Sequence, residues 1–256
     1  MATNLVFSVQ KAFKVLDLLV FEDTKEKGLR LSEISQRTNI KPNTLHNILR
    51  TMIVQKYVQQ YEDGNYGAGP KIDQIYILRQ ISSNEHEYGP LNILESLRDD
   101  IKENVIFAVL SDGKWQLVKE FTYEADIQIN NDRFVKSGLY EMATGRVMTA
   151  FCSESELTEV LNANGLPGSK WDDIESLDVL NDARGFIRKK GWFDMYTQND
   201  QLWAIGIPVL NKREKLIGAI GCAAPAFRCD EKKKNYIRTK FMELAIEIRE
   251  IMNADK

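Results

Sequence analysis

Residues 31–52, LSEISQRTNIKPNTLHNILRTM, constrain this chain more than any other stretch. Ser32 stands where an N-cap would open a brief helix through Ile34, Gln36 and Arg37, ending near Thr38-Asn39. Asn tolerates the left-handed backbone of a tight inter-helix turn, and Pro42 suits the first turn of a second helix. In that second helix Leu45, Ile48, Leu49, Met52 and Ile53 recur at i, i+3, i+4, i+7 and i+8 and must pack inward, leaving Asn43, Thr44, His46, Asn47 and Arg50 outside. The 28 residues from Ile34 to Tyr61 contain no Asp or Glu, where average usage would place about four. They contain Arg37, Lys41, Arg50 and Lys56. An acid-free, basic, polar-faced segment suits a polyanionic partner, because a carboxylate beside a phosphate would repel it.

The flanks extend this pattern. Ser8 is read as the cap of a first helix whose apolar residues Val9, Ala12, Phe13, Leu16, Leu19 and Val20 share one face. Downstream, KYVQQYEDGNYGAG is expected to form two short strands around the turn pair Asp63-Gly64. Helix, helix-turn-helix and hairpin in that order make a winged helix-turn-helix, whose second helix enters a DNA major groove. Asn43, Thr44 and Asn47 are candidate base readers, since Asn pairs with adenine and Thr meets a thymine methyl; Lys41, Arg50 and Lys56 are assigned to phosphates. His46 is either a phosphate donor or a plain helix-surface residue. Ser32, Asn65 and Tyr66 complete the expected DNA-binding set, with cross-strand packing the competing role for the hairpin tyrosines Tyr61 and Tyr66. Gly67-Ala68-Gly69 lacks the Lys-Ser/Thr of a phosphate-binding loop and is read as a turn.

Length allows two domains, each able to bury a core, and 43% apolar with 28% charged residues is an ordinary globular balance. Charge is uneven: residues 1–70 hold nine Lys/Arg against seven Asp/Glu, a net of +2, while the rest hold 25 against 30, a net of -5. Gly69-Pro70 closes the first module, and Ile72, Ile75 and Tyr76 suggest a connecting helix. Beyond it strand patterns at 105–113, 115–121, 202–210 and 215–223 interleave with helical patterns at 91–101, 141–151, 153–161, 173–190 and 231–252, an α+β arrangement large enough to enclose a ligand. The longest apolar run, LIGAIGCAAPAF, is too short to span a bilayer, and MATNLVFSVQK has no signal-peptide pattern, so a cytoplasmic protein is expected. Three cysteines without zinc-type spacing and two histidines argue against a disulfide framework, a metal site or a cofactor. No nucleophile, base and orienter set is evident, so an enzyme tethered to nucleic acid is a weak rival. A thiol sensor using Cys152 or Cys222 is a second rival, and would require an exposed thiol of low pKa. Lys232, Lys233 and Lys234 are read as a solvated face of the last helix.

From Ser8 to about Met252 the chain resembles the isocitrate-lyase-regulator (IclR) family of bacterial transcription factors. The matching pieces are SVQKAFKVLDLL, the helix-turn-helix above, YVQQYEDGNYGAGPK, ATGRVMTAF, IRKKGWF, AIGIPVLN and LIGAIGCAAP. The resemblance implies an N-terminal winged helix-turn-helix domain at 1–70, a linker helix at 71–89 and a C-terminal GAF-like α/β effector-binding domain at 90–256. It implies a non-enzymatic regulator that binds double-stranded operator DNA and a small organic, sugar or aromatic acid as a homodimer or a dimer of dimers, away from membranes. Carried over by position, the effector pocket comprises Ala143 and Thr144 at a helix start, Asp194, Leu202 and Ala204 on or before one strand, and Gly221 and Ala223 on the next. The chain departs from the family at Asn39, commonly Gly, at Asn47, commonly basic, and at Met142, often Ser or Thr. It also has Gly221 and Ala223 where two hydroxyls often stand, which implies a roomier pocket and a larger or less polar effector than a two- or three-carbon oxo acid.

Overall fold

The computed structural model describes residues 5–23, 27–72, 75, 90–124, 138–197, 201–211 and 213–254. Residues 1–76 and 77–255 form separate compact units.

In the first unit, helix α1 spans Phe7–Asp17 and runs on into a π turn at Leu18–Glu22. Ser8 does not cap it. The N-cap is Val6, whose extended backbone turns its carbonyl toward the amides of Val9 and Gln10. The buried face also differs from the expected one: Val15, Leu18 and Leu19 are buried, whereas Val9 and Phe13 are 48% and 61% exposed. Only the later part of the helix meets the core, and the π turn breaks the 3.6-residue period from which the face was extrapolated.

Helix α2 (Leu31–Thr38) is capped two residues earlier than expected, at Arg30, whose amide donates to Glu33 Oε2 at 2.8 Å. Ser32 is therefore an exposed first-turn residue, not a cap. Asn39 ends the helix at φ 56, the left-handed conformation its side chain tolerates, and Pro42 opens α3 (Pro42–Val54). Lys14 Nζ donates to the Thr38 carbonyl at 2.9 Å, satisfying part of the α2 C-terminus. Leu45, Leu49 and Met52 are buried with Ile34, Ile40, Val58 and Tyr66, and Ile48 and Ile53 pack at the margin. Burial of each such side chain contributes about 1.5–3 kcal/mol.

The hairpin forms as expected, β1 (Val58–Gln60) pairing with β2 (Tyr66–Ala68) in the register Val58↔Ala68. Gly64 occupies the turn at φ 83. Tyr66 also bridges to Leu29 through two backbone hydrogen bonds of 2.8 and 2.9 Å, so the hairpin is tied to the segment before α2. Gly67 and Ala68 belong to β2 rather than to a turn, and Gly67 has a packing reason to be glycine: a Cβ there would lie 1.9 Å from the Tyr61 hydroxyl. Of the expected linker stripe, Ile72 is partly buried, Ile75 is 42% exposed, and Tyr76 lies outside the described residues.

The second unit is built on a five-stranded antiparallel sheet in the order β4-β3-β7-β6-β5. Its strands are β3 (Val105–Ser111), β4 (Lys114–Phe121), β5 (Phe193–Tyr196), β6 (Leu202–Leu210) and β7 (Leu216–Pro225). Helices α4 (Pro90–Ile101) and α8 (Glu231–Ala254) pack with one face, while α5 (Ala143–Phe151) crosses the other, backed by α6 (Glu154–Asn164) and α7 (Leu177–Lys190). The edge strand β5 was not expected; FDMY is short and mixed in polarity, and only pairing with β6 makes it a strand. Helix α7 starts at the Ser176 cap, four residues later than expected, because Asp172 and Asp173 take positive φ.

Three features lock α5 in place. Gly145 admits the Leu139 carbonyl, which would lie 1.8 Å from a Cβ. Arg146, 6% exposed, donates to the Tyr140 and Lys170 carbonyls and lies over the Trp171 and Phe193 rings, and burial pulls its pKa down to about 10. Arg184 and Arg188 of α7 donate to the carbonyls of Thr149, Ala150 and Cys152 at the α5 C-terminus. On the opposite face the buried Glu103 carboxylate is met by Arg228 at 3.1 Å and Lys233 at 2.6 Å, and Lys234 is 8% exposed and bonded to Tyr196 and Glu231. Lys233 and Lys234 are thus committed to internal pairs, which corrects their reading as a solvated face.

Candidate DNA interface and effector site

Helix α3 presents Lys41, Asn43, Thr44, His46, Asn47 and Arg50 to solvent, because the i, i+3, i+4 positions between them are consumed by the core. No hydrogen bond or ion pair engages the side chains of Asn43, Thr44, His46, Asn47 or Arg50 among the described residues. Two nearby polar residues do have partners: Arg37 pairs with Glu22 at 3.6 Å, and Asn65 bonds to Asp63 and the Lys27 carbonyl. These five unpartnered side chains share one acid-free helical face. Lys56 is partly buried beside it. Asn65 serves the hairpin turn, its amide and Nδ2 both meeting Asp63. Tyr66, 7% exposed, packs in the core and cannot face DNA with its ring, which removes it from the expected contact set.

In the second unit the register sorts the expected effector residues onto two faces. Ala204 pairs with Ala223 and Gly206 with Gly221, so these residues share the face crossed by α5. Ala143 and Thr144, each 3% exposed, form the first turn of α5 there. Met142 precedes them without a side-chain cap, and the first intrahelical bond is Arg146 N–H to the Met142 carbonyl, so the amides of residues 143–145 point out of the helix end. Leu202 is on the same face by alternation.

Asp194 is not. It pairs with Ile205, and its carboxylate accepts from Trp203 Nε1 at 3.1 Å and lies 3.7 Å from Lys190 and 3.6 Å from Arg238 of α8. This corrects its placement in one pocket with Ala143 and Thr144: a side-chain period of two sends it to the α8 face. The room expected over Gly221 is also absent, since a Cβ there would lie 2.4 Å from Thr144 Cγ2.

Sequence reasoning missed Trp115. Its Nε1 donates to Thr144 Oγ1 at 3.0 Å, fixing the hydroxyl at the helix start. No local signal reveals this, because the contact spans 29 residues and depends on β4 lying two strands from β7. Met195, which pairs with Ala204, and Ile106, which pairs with Gly221, extend the same face and are half-buried. Among the described residues no cluster of three or more His, Cys, Asp or Glu could hold a metal, and no helix is long and apolar enough to cross a membrane.

Comparison with known proteins agrees with both units. Residues 8–62 match the IclR helix-turn-helix domain, and residues 90–250 match the domain described as bacterial transcriptional regulator IclR C-terminal. The chain is 22% identical over 247 residues to the HTH-type transcriptional regulator XynR of Escherichia coli, covering 94% of this chain and 95% of that protein. It is 22% identical over 238 residues to E. coli KdgR, covering 89% and 86%. Its fold is like that of an IclR transcriptional regulator from Alicyclobacillus acidocaldarius, at a TM-score of 0.55 and 21% identity over 97% of this chain and 99% of that one. It is also like the Thermotoga maritima IclR, at 0.52 and 20% over 96% and 98%. The chain belongs to the IclR family of bacterial transcriptional regulators, which are not enzymes, with an N-terminal helix-turn-helix that binds DNA and a C-terminal domain that binds a small-molecule effector.

Proposed function

We propose that this regulator acts in the cytoplasm as a homodimer whose two heads (residues 1–70) engage a two-fold operator, joined by a linker at 71–89 to effector domains at 90–256. The observation that carries the DNA assignment is the unpartnered, acid-free face of α3. Asn43, Thr44 and Asn47 are placed against bases, and Lys41, His46, Arg50 and Lys56 against phosphates, with Ser32 and Asn65 at the margin. Neutralising phosphates releases counterions, so affinity should fall steeply with salt.

The effector is assigned to the sheet face at the start of α5. An anionic end would meet the uncapped amides of residues 143–145 and the Thr144 hydroxyl, whose acceptor side is already used by Trp115. The body would lie along Leu202, Ala204, Ala223, Ile106 and Met195, a floor without a charged side chain, which favours an apolar or aromatic acid over a sugar acid. Effector binding would shift the placement of the two heads and so change operator affinity. The test is footprinting of the full-length protein on its own promoter region, with and without carboxylates that raise its melting temperature. Absence of a protected two-fold site would refute the operator reading, and no melting shift with any carboxylate would refute the effector site.

Thiol sensing gains no support. All three cysteines are buried, and burial pushes the Cys152 thiol up to about 12 and raises that of Cys222 well above its ordinary value.

A further inference from the structure

Resting on the reading that α3 enters a major groove, we infer that each operator half-site is read through A·T pairs, with Asn43 and Asn47 each gripping an adenine edge and Thr44 against a thymine methyl.

Accessibility is the first ground. Asn43, Thr44 and Asn47 are exposed on the first two turns of α3, and their side chains are spent on no internal partner among the described residues. The Asn47 carbonyl receives the Thr51 hydroxyl at 2.9 Å, but that bond belongs to the helix and leaves the amide free.

Chemistry is the second. A carboxamide presents one acceptor and one donor side by side, the complement of adenine N6–H and N7. Guanine shows two acceptors, N7 and O6, best met by the parallel donors of Arg or Lys, and cytosine shows a donor best met by a carboxylate. Between Pro42 and Leu49 there is no Arg, Lys, Asp or Glu; the cations Lys41 and Arg50 flank this stretch. A Thr methyl offers apolar contact that only thymine returns in the major groove.

Spacing is the third. Asn43 and Asn47 lie one helical turn apart on the same line, a rise of about 6 Å. With about 3.4 Å per base step, the two adenines should be roughly two steps apart.

The experiment is selection of bound duplexes from a random library by the full-length protein, repeated with Asn43→Ala, Asn47→Ala and Asn47→Arg. Wild type should enrich a two-fold motif with two A·T positions about two steps apart in each half, and each alanine variant should lose preference at one of them. Asn47→Arg should convert its position to guanine. Replacing the adenine at either position with 7-deazaadenine, which lacks the N7 acceptor, should weaken wild-type binding about tenfold and leave the matching alanine variant unaffected. The inference is overturned if the positions that respond to Asn43 or Asn47 are G·C pairs, or if both alanine variants select the wild-type motif unchanged. Enrichment of no motif by the wild type would instead sink the groove-reading assignment itself, and this inference with it.

Discussion

Gly206→Ala and Gly185→Ala are the same chemical change and should have opposite effects on stability. On β6, a Cβ added to Gly206 would lie 2.8 Å from the Ala143 carbonyl carbon, 2.8 Å from the Thr144 nitrogen and 2.9 Å from the Ala143 oxygen. All three are backbone atoms of the α5 first turn, which is held from behind by Arg146 and from its far end by Arg184 and Arg188. The helix cannot yield by rotating a side chain, so the cost is that of overpacking, about 1–3 kcal/mol. Gly185 lies inside α7 with nothing within 4 Å of its would-be Cβ, and there alanine should stabilise by about 1 kcal/mol through helix propensity. For a unit of this size those values correspond to melting temperatures lowered by roughly 2–12 °C for Gly206→Ala and raised by roughly 2–4 °C for Gly185→Ala. Differential scanning calorimetry of the full-length variants reads both. Because the clash falls on the amides assigned to the effector, Gly206→Ala should also weaken the binding of any carboxylate that shifts the wild type. A Gly206→Ala protein that melts with the wild type would refute the close approach of β6 to α5, and with it the geometry of the proposed site.

Four further outcomes are expected. Arg50→Ala should weaken binding to all DNA sequences alike and flatten the salt dependence by about one ion, measured by titration at several salt concentrations; an unchanged slope would remove Arg50 from the interface. Light scattering at micromolar concentration should show no 29.4 kDa species, since Phe7, Phe13, Phe21 and Ile75 leave apolar surface exposed on the first unit; a monomer with full operator affinity would count against the dimer. Asp194→Ala should lower stability by about 1–3 kcal/mol while leaving carboxylate affinity unchanged, because it removes the acceptor of Trp203 and the counter-charge of Lys190 and Arg238 on the face opposite the proposed site; a lost carboxylate affinity in calorimetry would restore Asp194 to the pocket. Burial raises the Cys152 thiol from 9.0 and the Tyr140 phenol from 10.0 to about 12, so the folded state keeps these protons longer than the unfolded chain. The stability this represents is full below about pH 9 and lost as pH rises toward 12, and in urea titrations Cys152→Ala should lessen the loss.

The N-terminal head was legible in the sequence because its determinants are local. Asn39 in the left-handed turn, Pro42 in the first turn of α3 and the inward run Leu45, Leu49, Met52 each act over one or two helical turns, and the structure has all of them in the expected roles. The four long strands and the helices of the second unit were visible for the same reason, as runs of matched period. What failed was decided between segments distant in sequence. Tyr66 had two open roles in the sequence, a DNA contact or cross-strand packing, and its place in the core beside the bridge to Leu29 decides for packing. β5 became a strand only through β6, and the Asp194↔Ile205 register, not any property of FDMY, put that carboxylate on the α8 face. Trp115 reached Thr144 because strand order brought β4 near the start of α5. Periodicity says which residues share a face of one element, while the choice of neighbour for that face is made by packing and by the pairing of backbone groups, and a one-residue change of register reverses it.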